Sequence, residues 1–135
     1  MKCVMVIDRQ LPLGLIANAA AVLAVTIGRK VDDIVGEDAA DGDGTIHLGI
    51  TRATIPLLSG DGPSIRELRK KLLNGQGDGL FFVDFCDVAQ RCKDYADYLD
   101  QLSRTPEDEL NYLGIAIYGP NKSVDKLTGS LALLR

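Results

Sequence analysis

The stretch Leu11–Gly28, LPLGLIANAAAVLAVTIG, decides the fold. Its most polar residue is Asn18, and three readings compete for it: a membrane span, a secretory signal and the helix of a soluble core. A span needs about 20 strongly apolar residues. This run is shorter, rich in weakly hydrophobic Ala, and carries Pro12, Gly14 and Asn18. A signal places its apolar run straight after a basic start and ends at a small-residue cleavage site. Here KCVMVID comes first, and Asp8 and Arg9 interrupt. A buried helix remains. Pro12 can open it, where a missing N–H costs nothing, and Gly28 followed by Arg29 and Lys30 suits its C-terminus. Apolar residues all round predict burial on more than one side, by a sheet plus a neighbouring helix or a second subunit.

Working outward, Lys2–Asp8 reads as a buried strand with β-branched Val4, Val6 and Ile7. Further strands are expected at Thr54–Leu58, Leu80–Phe85 and Tyr112–Tyr118, with SLALLR as a terminal edge strand. A helix is expected over Ser64–Leu73, stopped by NGQGDG (Asn74–Gly79). Val88, Ala89, Cys92, Tyr95, Leu99 and Leu102 follow three-four spacing and predict one continuous helix. TPEDE reads as a new helix start with Thr105 as cap, and GPNKSVDKLTG as a short last helix closed by Gly129. The alternation of strands and helices predicts a single α/β domain over residues 1–135, with helices on both faces of a mostly parallel or mixed sheet.

The loop GEDAADGDGTIHLGI (Gly36–Ile50) carries turn chemistry at Asp41–Gly44 and predicts a small hairpin or excursion. Asp41 and Asp43 fit the start of a calcium loop, but the sixth position lacks Gly and Arg52 stands where the closing Glu belongs, so calcium is rejected.

A net charge of −4, from 15 basic and 19 acidic residues, argues against a nucleic-acid surface. The basic cluster Arg66, Arg69, Lys70 and Lys71 is interleaved with Ile65, Leu68, Leu72 and Leu73, and reads as a solvated helix face. Cys3, Cys86 and Cys92 form no disulfide framework and suit a reducing cytoplasm. Cys86 and Cys92 are six apart, on different faces of a helix, which argues against metal ligation. No metal, cofactor, nucleic acid or membrane is expected.

Both ends of the chain resemble the peptidyl-tRNA hydrolase II family. KCVMVIDRQLPLGLIANAAAVLA is similar to that family's opening strand, loop and helix, which begins G-K-I-A-A-Q. LGIAIYGPNKSVDKLTGSLALL matches its ending, a strand, Gly-Pro, then V-D-K-V-T-G-x-L-x-L, with Gly119, Pro120, Asp125, Lys126, Thr128 and Gly129 in register. The whole chain looks more closely still like the bacterial family named domain of unknown function 2000, which shares that fold. The resemblance implies a three-layer α/β/α sandwich with a mixed four-stranded core sheet, often dimeric. It implies activity less directly. Gly14 matches the motif glycine, but Leu15 stands where the catalytic lysine belongs, and Val22 where the helix histidine belongs. Asp84 corresponds to the aspartate ending the third strand, while FCDV replaces the A-G-R-T run that follows it. A hydrolase that must polarise an ester cannot lose that lysine charge without a substitute.

In open α/β sheets, ligands gather where strands deliver their C-terminal ends and helices begin. Asp8 and Arg9 can position a carboxylate or phosphate, or simply pair at a strand end. Asn18 can meet a ligand, a backbone group or its symmetry mate across a dimer, and the structural roles are favoured. Asp84 reads equally as a catalytic carboxylate and as a helix cap. Cys86 sits near a helix start, where a thiol can be activated, but no base lies nearby in sequence, so a buried structural thiol is favoured. His47 can act as an acid or base beside a carboxylate; in an acidic loop, an exposed histidine without function is the default. The expected function is a cytoplasmic small-molecule or protein-binding module, homodimeric through the first helix. The alternative is a hydrolase of aminoacyl or peptidyl esters using Asp84.

Overall fold

The computed structural model describes residues 1–76 and 79–135. Strand β1 (Lys2–Asp8) is followed by helix α1 (Leu13–Lys30), and a two-stranded arm, β2 (Ala39–Ala40) and β3 (Ile46–His47), leads to β4 (Leu57–Gly60). Helix α2 (Gly62–Lys71), β5 (Phe81–Cys86), α3 (Asp87–Arg91), α4 (Tyr95–Ser103), β6 (Tyr112–Gly119) and α5 (Asn121–Thr128) complete the order. The main sheet runs β4-β1-β6-β5, with β1 and β4 parallel and β6 antiparallel to both its neighbours. The fold is mixed α/β around a four-stranded mixed sheet.

The strict alternation of a strand sorts β1 between two cores. Val4 and Val6 pack with Ile65, Leu68 and Val124 of α2 and α5. Cys3, Met5 and Ile7 pack with Ala19, Leu23 and Ile27 of α1. With both faces covered, β1 reads as a continuous apolar run. Burial pushes the Cys3 thiol up to about 11, so it stays neutral at physiological pH.

Several expectations need correction. The run at Leu11–Gly28 supplies most of α1 (Leu13–Lys30), which is long and apolar enough by composition to cross a membrane (mean hydropathy 1.4). Within the single chain it is buried on one face only, with no neighbouring helix among the described residues covering the other. Ala19, Leu23 and Ile27 are sealed against the sheet, while Leu13 is 83% and Val25 74% exposed. The chain leaves α1 as the arm, and the strands on which α1 packs are β1, β5 and β6. The continuous helix expected from Val88 is two helices. The backbone turns extended at Cys92 and again at Asp94, whose carboxylate caps α4 by accepting from Asp97 N–H at 2.8 Å. TPEDE makes a single 3-10 turn at Glu107–Glu109, with Pro106 rather than Thr105 at the N-cap position and no side-chain cap. The strand expected at Thr54–Leu58 begins at Leu57, because Pro56 has no N–H and contributes only its carbonyl, to Met5 N–H. SLALLR forms one bridge to β4, Leu133 opposite Leu58. After α2, a wide turn at Leu72–Gln76 closes on Gly75 at φ +85; Gly77 and Asp78 of the NGQGDG stop lie outside the described residues.

The arm is held by backbone pairing and by carboxylates that accept from its N–H groups. Ala39 pairs with His47 and Ala40 with Ile46, while Asp41 accepts from the N–H groups of Asp43 and Thr45. Gly49 is demanded by contact: a Cβ there would lie 1.8 Å from the Gly36 carbonyl oxygen. Gly49→Ala is expected to unzip the arm without unfolding the main sheet. Amide exchange should show lost protection at Gly36 and Arg52, whose N–H groups bond across the base of the arm, with β1 and β6 unchanged.

Candidate functional site

A cleft of about 460 Å³ lies on the outer side of β5, the edge strand, between α1 and α4. Its size suits a small molecule. Val22 and Thr26 of α1 form one wall, Val83, Asp84 and Phe85 the floor, and Cys92, Asp94, Tyr95 and Tyr98 the other wall. The break between α3 and α4 makes this possible. A continuous helix would carry the chain straight on, whereas the cap at Asp94 starts α4 afresh with both tyrosines on the cleft. Their ring centroids are 5.5 Å apart and tilted by 47°.

Asp84 extends from β5 beside α2, and its Oδ2 accepts from Arg69 Nε at 2.9 Å. Among the described residues its Oδ1 takes no hydrogen bond. Arg69 also sits over the Tyr112 ring at 5.4 Å, as does Arg66 at 5.1 Å. Arg66 donates to Glu107 Oε1 and to the carbonyl of Leu110, and Tyr112 O–H donates to the same Glu107 carboxylate. Burial and that hydrogen bond push the Tyr112 phenol up to about 12. This corrects the solvated reading of the basic cluster: Lys70 and Lys71 are exposed, but Arg66 and Arg69 are half-buried and tie α2 to the strands beneath.

Burial, followed by neighbouring Cys86 and Asp84, raises the Tyr98 phenol above its ordinary value. Burial and the Asp97 carboxylate raise the Cys92 thiol. Both groups are neutral at physiological pH, so the cleft holds no thiolate nucleophile.

Of the residues singled out from sequence, Asp84 lines this cleft. Asp8 closes a local turn, accepting from Gln10 N–H at 2.9 Å. Arg9 donates to the Gly60 carbonyl at 3.0 Å and faces Asp61 at 3.5 Å, latching β1 to the end of β4. Asn18 is exposed on the outer face of α1. His47 lies on the arm, its Nε2 2.9 Å from Asp41 Oδ2. Cys86 is buried at the N-cap of α3, and Cys92 stands at the C-cap of the same helix. Arg9 and His47 are therefore not brought to Asp84. The residues that sequence reading passed over are Asp94, Tyr95 and Tyr98. Their signal was present as DYADY (Asp94–Tyr98), two Asp–Tyr pairs three apart, which on a helix share one face.

The junction behind the cleft is held by Asp87. Its carboxylate accepts from Asn111 N–H at 3.1 Å, Asn111 Nδ2 at 2.8 Å and Val88 N–H at 2.9 Å. Burial opposes ionisation, but these hydrogen bonds outweigh it and hold the group below the usual aspartate value. A lowered native pKa means stabilisation that is full above the unfolded value and lost as pH falls through the native one. Asn111→Ala is thus expected to flatten acid destabilisation below the ordinary aspartate range, measured as urea midpoint against pH.

Fold and cleft together define a mixed α/β protein whose cavity opens at a sheet edge. The solved structure of Atu0240, a protein of unknown function from Agrobacterium tumefaciens strain C58, matches with a TM-score of 0.84 at 20% identity. The match spans 98% of this chain and 96% of that one, a likeness of fold. The chain belongs to the family described as protein of unknown function (DUF2000), whose model matches residues 1–135. No curated protein matches it.

Proposed function

We propose that this protein is a cytoplasmic small-molecule-binding module, built on a three-layer α/β/α sandwich of the peptidyl-tRNA hydrolase II type and lacking that family's activity. The observation that carries the reading is the cleft of about 460 Å³ floored by Asp84 and walled by two tyrosines. Leu15 at the lysine position supports the loss of ester hydrolysis. Three free cysteines, two of them buried, support a reducing compartment. Shift mapping on ¹⁵N-labelled protein with cationic, neutral and anionic fragments tests the binding. Perturbations centred on Val83–Phe85 and Asp94–Tyr98 are expected; perturbations confined to other surfaces overturn the reading.

A second reading, hydrolysis of an aminoacyl or peptidyl ester with Asp84 as catalytic carboxylate, rests on the place of Asp84 in that cleft. Release of peptide from peptidyl-tRNA that Asp84→Asn abolishes would establish it over the binding module.

The module is proposed to dimerise through α1. Gly14, Asn18, Ala21, Val25 and Gly28 fall at four-three spacing on its exposed face, the seam along which two helices approach closely. Val25→Arg would bury an unpaired charge in that seam. It should weaken the dimer by more than about a hundredfold in sedimentation equilibrium, and a wild-type chain that stays monomeric at all concentrations contradicts the proposal.

A further inference from the structure

We infer that the β5-edge cleft takes a compact organic cation, an ammonium group carried on an apolar or aromatic body. The inference rests on the proposal that the cleft binds a small molecule, and it names the class.

The charged residues lining the cleft are Asp84 and Asp94; among the described residues no Lys, Arg or His lines it. Arg69 engages one oxygen of Asp84 from the α2 side and offsets part of its charge. Asp94 has no cationic partner among the described residues, its Oδ1 accepting only from Asp97 N–H. An anion entering the cleft therefore meets uncompensated negative charge, and a cation meets its complement. The tyrosines supply the second half of the site. Their ring faces are electron-rich, and an ammonium held near such a face gains cation–π attraction in addition to the carboxylates. Because Tyr98 stays protonated, its hydroxyl remains a donor and acceptor. Val22, Val83 and Phe85 offer an apolar surface for the rest of the ligand. A chain with net charge −4 adds a favourable long-range field.

Phenethylammonium, 2-phenylethanol and phenylacetate share one aromatic body and differ in head group, so titrating ¹⁵N-labelled full chain with each isolates the charge. The cation is expected to bind about tenfold more tightly than the alcohol, with shifts at Asp84, Asp94 and Tyr98, and the anion most weakly. Asp94→Asn keeps its capping carbonyl and should narrow, without abolishing, the preference for the cation over the alcohol, because Asp84 and the two rings remain. Tyr95→Leu, at a position 72% exposed, should weaken the cation selectively without touching the fold. If alcohol and anion bind in the cleft as tightly as the cation, the charge inference is overturned while small-molecule binding stands. If none of the three perturbs the cleft, the inference and the binding reading fall together.

Discussion

Leu23→Ala is expected to lower unfolding free energy by about 2–5 kcal/mol, the largest loss foreseen for a single substitution here. Leu23 is fully buried and lies mid-way along α1, between Ala19 and Ile27, the two other residues that seal the helix to the sheet. Its Cδ1 lies 3.1 Å from the place a Cβ would take on Gly114 of β6, so helix and strand meet at close range there. A small residue on the strand accepts a large one on the helix. Truncating Leu23 removes the side chain that fills this contact, and with Ala19 already small the helix has little left to collapse onto. Leu13→Ala, on the same helix but 83% exposed, should stay within about 0.5 kcal/mol of wild type. Urea denaturation of both variants separates the sheet-facing seam of α1 from its exposed N-terminal turn.

Arg66→Ala is expected to cost about 2–3 kcal/mol. The guanidinium donates to Glu107, to the Leu110 carbonyl and across the Tyr112 ring, with its side chain 23% exposed. Removing it leaves a half-buried carbonyl without its donor and frees the segment that carries the 3-10 turn. Arg66→Lys should recover only part of the loss. An ammonium cannot bond both acceptors while lying flat against the ring. Equilibrium unfolding of the two variants provides the comparison, and full rescue by lysine contradicts this account of the contact.

What the sequence made legible was whatever local pattern controls. Lys2–Asp8 had to be a strand shielded on both faces, and GPNKSVDKLTG a short capped helix, because β-branched runs and glycine stops act within a few residues. The one-sided burial of α1 was not legible. An apolar helix looks the same whether its outer face meets protein or water, and within the chain only the path of the arm decides. The break at Cys92–Asp94 was hidden because the apolar spacing continues across it; the competing signal was a single carboxylate placed to cap. The site followed the same division. Asp84 could be singled out by its place at the end of an apolar strand, but its ion pair with Arg69 joins residues 15 apart across a sheet and a helix. Tyr95 was visible only as core spacing and Tyr98 was not singled out, since their role depends on α4 starting afresh beside β5.

The central claim is that the cavity at the β5 edge is the ligand site. Intermolecular NOEs from bound phenethylammonium test it most directly. The structure predicts contacts from the ligand to the ring protons of Tyr95 and Tyr98 and to the methyl groups of Val22 and Val83. NOEs exclusively to the arm at Ile46–Ile50, or to the smaller hollow around Pro63 and Tyr112, would contradict it.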